Sequence, residues 1–363
     1  MLGPFCGSAA GLGKTDEPEV IRTLLLFLML LPFAAAQEST ETVCDLAGSA
    51  ALRANAQEAI QKRQYDQAAR LFQQAVAACP NQRAILLELS DAQAHRRDFA
   101  ESIRAAEQFL KSEPNSIAGR LAVANAYFMA QRFSEARAAA EQALKLEPGQ
   151  PTALKLKGNI EYLLGEFEPA KDTFVGLLDR SPNDEEAAYM LGRIYYQEGR
   201  IDHAIGQFQR ALKINPQSYK AYDNLGLCYE ARGESEMAVR HFLTAIKLVE
   251  KDHPDYDWAY ANLANLLLEN GDAQKGFAAA SKAADRNPYS ARNFYLGGKA
   301  LCQLQKTDLC VNWLERSVSL DANYPEPLYL LARVYGQLGQ EQKARQALEK
   351  FREVKAKAPS VRR

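Results

Sequence analysis

The sequence predicts an all-α fold, an α–α solenoid of about nine helix–turn–helix repeats. Three observations predict it. Pro80, Pro114, Pro148, Pro182 and Pro216 stand 34 residues apart; Pro254 follows after 38, Pro288 after 34 more, and Ala322 occupies the next mark. A fixed period of that size marks a repeat array. Between the prolines, apolar residues recur at i, i+3, i+4 and i+7, the spacing of one helix face. Alanine, leucine, glutamate, glutamine and arginine dominate throughout, and alternating β-branched runs are nearly absent.

The chain opens differently. Leu24 to Pro32 is a dense apolar run, followed by Phe33 and three alanines and preceded by Arg22. A short apolar core behind a cation and ending in small residues is the pattern of a secretory signal peptide, too short for the roughly 20 residues a membrane span needs. Residues 1–36 are therefore expected to be a presequence cleaved after Ala36, with 37–48 as a linker. Membrane contact is expected only through that presequence if it stays uncleaved. Asp16, Glu17 and Glu19 are unusual ahead of such a core, which fits a translation start nearer Val20. Ser8 to Thr15 nearly matches a phosphate-cradling loop, but Ser8 replaces its first glycine and no strand precedes it.

Charge and cysteine usage bound the function. The 363 residues carry a formal net charge of −1 with no long single-sign block, so nothing points to nucleic acid. Export permits disulfides. Cys44 precedes the first repeat and Cys79 ends its second helix, so an antiparallel helix pair brings the two together as a candidate disulfide. Cys302 and Cys310 flank one turn as a second, weaker pair, and Cys228 reads as a small buried filler. No cysteine or histidine has metal-ligand spacing. His203 and His241 read as surface residues, and no catalytic constellation sits in a placed turn. No enzyme activity, cofactor or metal is expected.

The units follow in order. Numbered from Tyr219 as position 1, the clearest has Tyr222 at 4, Leu225 and Gly226 at 7 and 8, Tyr229 at 11, Ala238 at 20, Phe242 at 24 and Ala245 at 27. The small residues let two helices approach and the large ones fill the groove around them. The closing proline ends the second helix. The unit at 49 keeps Tyr65, Ala68, Phe72, Ala75 and Pro80; the unit at 83 departs most, with Ser90, Ser102 and Phe109 at positions 8, 20 and 27. The unit at 117 keeps Tyr127, Ala136 and Ala143; the unit at 151 keeps Gly158, Ala170 and Phe174 but has Lys157 at position 7. The unit at 185 matches well through Leu191, Gly192, Tyr195, Ala204 and Phe208. The units at 257, 291 and 325 keep Leu263 and Ala283, Phe294 and Gly298, and Leu331 and Tyr335. The one slip, four extra residues in Val249 to Asp257, is expected to lengthen a connection and to bend or splay the array. The array is expected to span 49–358, with 359–363 as a tail.

This arrangement resembles the tetratricopeptide repeat, whose pattern is Leu-Gly at 7 and 8, Tyr at 11, Ala at 20, Phe at 24, Ala at 27 and Pro at 32. The resemblance implies a superhelix whose concave face is lined by the first helix of each repeat, through positions 2, 5, 9, 12 and 13. It assigns to that groove Lys155, Asn159, Tyr162, Tyr189, Arg193, Tyr196, Asp223, Asn262 and Asn265, and towards the C-terminus Tyr295, Lys299, Tyr329 and Arg333. Tyrosine, asparagine and arginine suit recognition of a protein or an extended peptide. Lys155 and Asn159 also match the start of the family's carboxylate clamp, which then departs at Met190 and Asn224. The resemblance implies a non-enzymatic adaptor, here of the cell envelope. A groove for glycan or cell-wall polymer, or a non-catalytic subunit of an envelope enzyme, are the other readings.

Overall fold

The structure, a computed structural model, describes Cys44 to Lys357. The presequence, the linker as far as residue 43, the loop-like segment at Ser8 to Thr15 and the tail lie outside the described residues. Within them, eighteen helices form nine consecutive hairpins. The first three pair α1 (Leu46–Gln61) with α2 (Tyr65–Ala78), α3 (Ile85–His95) with α4 (Phe99–Ser112), and α5 (Ile117–Met129) with α6 (Phe133–Leu146). The middle three pair α7 (Pro151–Leu163) with α8 (Phe167–Arg180), α9 (Glu185–Gln197) with α10 (Ile201–Ile214), and α11 (Tyr219–Ala231) with α12 (Ser235–Asp252). The last three pair α13 (Trp258–Glu269) with α14 (Ala273–Arg286), α15 (Ala291–Gln303) with α16 (Thr307–Leu320), and α17 (Pro325–Gln337) with α18 (Glu341–Lys357).

Each hairpin turn has the same backbone. One residue per repeat, always fifteenth in the unit, adopts positive φ: Arg63, Arg97, Gln131, Gly165, Gly199, Gly233, Gly271, Gln305 and Gly339. That left-handed cap lets the next amide reach back to the last turn, as where Glu234 donates to the Tyr229 carbonyl at 2.8 Å. Glycine occupies five of these nine sites, and arginine or glutamine adopts the strained conformation at the other four.

Glycine at position 8 and phenylalanine at position 24 are one packing unit. A Cβ added to Gly158 would lie 2.7 Å from the Phe174 ring, and one added to Gly192 would lie 2.7 Å from Phe208. Gly226 meets Phe242 in the same way. These three rings are fully buried, and each draws its two helices together. The unit at 83 solves the same contact with polar groups. Ser90 Oγ donates to the Ser102 carbonyl at 2.9 Å, and Ser102 Oγ returns a bond to the Ser90 carbonyl at 2.8 Å. Its Phe109 lies against Gly119 of the following repeat, where a side chain would collide with the ring. Lys157 is also accommodated: it donates to Glu161 at 2.5 Å and to Thr173 at 3.1 Å inside the fourth hairpin, α7 and α8.

The four extra residues do not lengthen a connection. They extend α12 to 18 residues where most second helices have 14, about one added helical turn. Val249, four positions after Ala245, continues the apolar face and is fully buried. A single hydrophobic cluster runs across the insertion from Phe242 and Val249 to Tyr260, Ala280 and Leu296, so the stack is not splayed there. Arg286 fastens the added turn by donating to the His253 and Pro254 carbonyls at 3.0 and 3.2 Å.

Two disulfides are present, Cys44–Cys79 and Cys302–Cys310, and Cys228 is a buried free thiol. The first closes 35 residues and fastens the start of α1 to the end of α2, a constraint of about 3–4 kcal/mol in the chain-entropy account. The second closes only 8 residues and constrains less.

Candidate binding groove

The inner face follows from which helices touch. Along the array, the first helix of a repeat contacts the first helix of the next: α7 meets α9, α9 meets α11, α11 meets α13 and α13 meets α15. Among the described residues no comparable contact joins successive second helices. Helices that crowd together lie on the inside of a curved stack, so the first helices line the concave side. The assigned groove residues all sit on those helices.

In the middle repeats most of them are already bonded to the neighbouring repeat. Lys155 lies 3.4 Å from Asp184 and 3.2 Å from Glu186, and Asn159 donates to Glu186 at 3.3 Å. Burial lowers the Lys155 ammonium pKa, but the two carboxylates outweigh it and leave the group raised. Lys155 and Asn159 therefore do not stand free as half of a clamp. Arg193 stacks over Tyr162, 4.5 Å from its centre, and lies 5.9 Å from the Tyr189 ring. The Tyr189 hydroxyl accepts from Asn224 at 3.3 Å, and burial pushes its pKa up to about 12. Tyr196 is half-buried and also raised by burial.

Two assigned residues leave the surface altogether. Asp223 is 3% exposed and Asn262 4%. Asp223 accepts from Tyr256 at 2.6 Å and from Asn262 at 2.9 Å, while Arg292 donates to the Asn262 carbonyl oxygen at 2.9 Å. Asn262 stands at position 6 of its unit, one residue off the groove positions, which turns it into the repeat interface. Tyr256 comes from the inserted segment, so the insertion itself supplies a bond to the inner wall. Asn265 bridges two carboxylates, Glu230 at 3.4 Å and Glu269 at 3.0 Å; burial, then Glu269, raises the Glu230 pKa. His241 is not a surface residue either. It is half-buried, parallel to the Tyr229 ring at 5.1 Å, and burial lowers its pKa.

The last two repeats differ. Tyr295, Lys299, Tyr329 and Arg333 converge on one cavity of about 600 Å³ between α15, α17 and α18. Tyr329 is 48% exposed. Phe351 and Lys355 of α18 complete the wall, with Phe351 5.3 Å from the Tyr329 ring. Sequence reasoning confined to first helices missed these two. The available signal was Phe351 at position 27, where most units carry a small residue.

Models described as TPR repeat or tetratricopeptide repeat match residues 53–118, 127–194, 192–233, 221–253 and 325–356, together more than half of the chain. The chain belongs to the tetratricopeptide repeat family. Residues 254–324, which begin inside the inserted segment, lie outside these matches yet fold into the same hairpins. In structure this tetratricopeptide repeat chain resembles one from the APC/C hetero-tetramer Cut9–Hcn1, with a TM-score of 0.60 and 15% identity over 78% of its length. It spans 55% of that chain. It also resembles a tetratricopeptide repeat protein from Parabacteroides merdae, with a TM-score of 0.55, 21% identity, and 69% of this chain and 98% of that one covered. At such identities the likeness shows the fold alone. A search of curated proteins returns no match to this sequence.

The fold suggests a protein–protein interaction scaffold, and proteins of this family are generally non-catalytic. Among the described residues no group of histidine, cysteine, aspartate and glutamate could hold a metal ion, and no helix is long and apolar enough to cross a membrane.

Proposed function

We propose that this chain is an exported scaffold that binds an extended segment of a partner protein along its concave face. The observation that carries the reading is the inner wall of first helices, on which tyrosines and cations recur in register, exposed or half-buried at Tyr162, Arg193, Lys220, Tyr295 and Tyr329. Tyrosine supplies contact area at low entropic cost, and amide side chains can bond a peptide backbone. The apolar presequence and the two cysteine pairs, Cys44–Cys79 and Cys302–Cys310, favour an oxidising compartment outside the cytosol. The protein would act there as an adaptor of the cell envelope.

The test is site-directed photo-crosslinking in cells. A photoreactive residue at Lys220 or Tyr329, both exposed on first helices, should capture a partner. The same residue at Leu243, exposed on the second helix α12, should not. Crosslinks from Leu243 alone would sink the groove assignment. Mass spectrometry of the exported protein should find Gln37 at its N-terminus; an intact presequence on a protein confined to the cytosol would sink export.

A further inference from the structure

The groove is uneven in its unsatisfied charge. Over the middle repeats Lys220 is exposed, but the other cations on the first helices are engaged: Lys155 by Asp184 and Glu186, Lys157 by Glu161, and Arg193 by the Tyr162 ring. A ligand there must break an existing bond to make its own. At the C-terminal cavity, Lys299, Arg333 and Lys355 line one space, and among the described residues none of them forms an ion pair or a hydrogen bond. Lys355 lies 5.8 Å from the Phe351 ring, its one close polar or aromatic association. Glu326 is the single acidic residue in the lining. Three cations therefore face one carboxylate across a space that a side chain or two can fill.

The walls between those cations are largely apolar, with Gln303 and Gln337 the neutral polar members. Tyr295, Tyr329 and Phe351 present rings, with Leu330 and Val334 beside them. Phe351 stands where earlier repeats carry Ala75, Ala143, Ala211, Ala245 and Ala283, all fully buried under the following repeat. At the end of the described array its ring meets Tyr329 instead. The site so formed combines a part-exposed aromatic wall with free positive charge, and each half selects a different part of a ligand.

We infer that this cavity binds an acidic segment of a partner protein carrying an aromatic or aliphatic side chain, which seats against Tyr295, Tyr329 and Phe351 while its carboxylates meet Lys299, Arg333 and Lys355. The inference rests on the scaffold reading above and narrows it to the last two repeats and to one charge class. Carboxylates gain charge-assisted bonds from cations that have no competing partner, and Arg333 can engage one bidentately. A basic segment meets repulsion from three cations against attraction from Glu326.

The test uses the full chain and a random peptide library displayed on phage, followed by fluorescence-polarisation titration of the selected peptides. Selected sequences should be enriched in aspartate and glutamate beside phenylalanine, tyrosine, tryptophan or leucine. Their affinity should fall at least tenfold in the Lys299→Ala/Arg333→Ala variant and with rising salt. Unchanged melting of that variant separates lost binding from lost folding. Tyr329→Ala should weaken binding with little change in the salt slope. Acidic peptides whose affinity ignores Arg333 but depends on Tyr162 and Arg193 would overturn the cavity and leave the scaffold reading intact. Selection of neutral or basic peptides would do the same. A library that yields no binder, while a sulfated oligosaccharide binds in an Arg333-dependent way, would overturn both.

Discussion

Between Pro151 and Arg286, polar side chains of the first helices bond across to a neighbouring repeat: Asn159 forward to Glu186, and Asn224, Asn262 and Asn265 back to Tyr189, Asp223 and Glu230. In the last two repeats the corresponding side chains, Lys299 and Arg333, bond to nothing among the described residues and face a cavity. The helices, period and register are the same in both regions. The difference lies in whether a neighbouring repeat brings a complementary group within bonding distance. A groove position therefore does not make a recognition residue. Where the neighbour satisfies it, the side chain stiffens the stack. Where no neighbouring group reaches it, it is free for a ligand.

Phenylalanine substitutions should separate the two regions most widely. Phe242 is fully buried against Gly226 and joins two hairpins through one cluster. Phe242→Ala should cost about 3–5 kcal/mol, read as a fall in the denaturant midpoint. Phe351 is half-buried at the end of the array. Phe351→Ala should cost well under half as much, and its main effect should be on ligand binding. Equal losses of stability would break the comparison, since they would make Phe351 as structural as Phe242.

The fold was largely legible because its signals are redundant. The proline period, the Gly-8 to Phe-24 pairing and the helix-face spacing each identify the repeat independently, so Lys157 or Ser90 at a wrong position does not lose the phase. The groove was legible only as a face. Whether Asp223 is exposed depends on Tyr256, which enters from an insertion outside the pattern, and on an asparagine 39 residues away. No local periodicity encodes such a contact. The fate of the insertion could have been read from Val249, which continues the apolar stripe by one more turn. The cavity needed Phe351 and Lys355, which lie on a second helix and reach the inner side only where the described array ends.

The inter-repeat ladder also has a pH signature at Glu230. Burial, and then Glu269, raises the folded-state pKa of Glu230 above its unfolded value. A carboxylate raised in this way favours the protonated folded protein. Its contribution is most favourable below the unfolded pKa, about 4.3, and is lost as pH rises through the folded pKa. Glu230→Gln removes that loss. The stability of the variant relative to the parent should therefore climb as pH rises from about 4 through the raised pKa. Paired denaturation curves at pH 4 and pH 8 give the sign directly. A relative stability that falls over this window would mean that Asn265 and Arg292 hold the carboxylate charged, and that the ladder stores no strain at Glu230.

The smallest effect tests whether the two regions share one turn. Gln305 carries φ of +57° in the turn of the repeat that opens the cavity, and Gly233 carries +76° in a central turn. Both close the same left-handed cap, so they differ only in side chain. A non-glycine residue there is strained by roughly 1–2 kcal/mol, partly offset by the extra chain entropy glycine loses on folding. Gln305→Gly should therefore stabilise by up to about 1 kcal/mol, and Gly233→Ala should destabilise by about the same amount. No heavy atom lies within 4 Å of a Cβ built on Gly233, so a loss there reports backbone strain and not a clash. If Gln305→Gly instead weakened the acidic-peptide affinity, the turn would be part of what holds α15 against the cavity, and the last two repeats would owe the cavity's shape to backbone strain as well as to its unpaired cations.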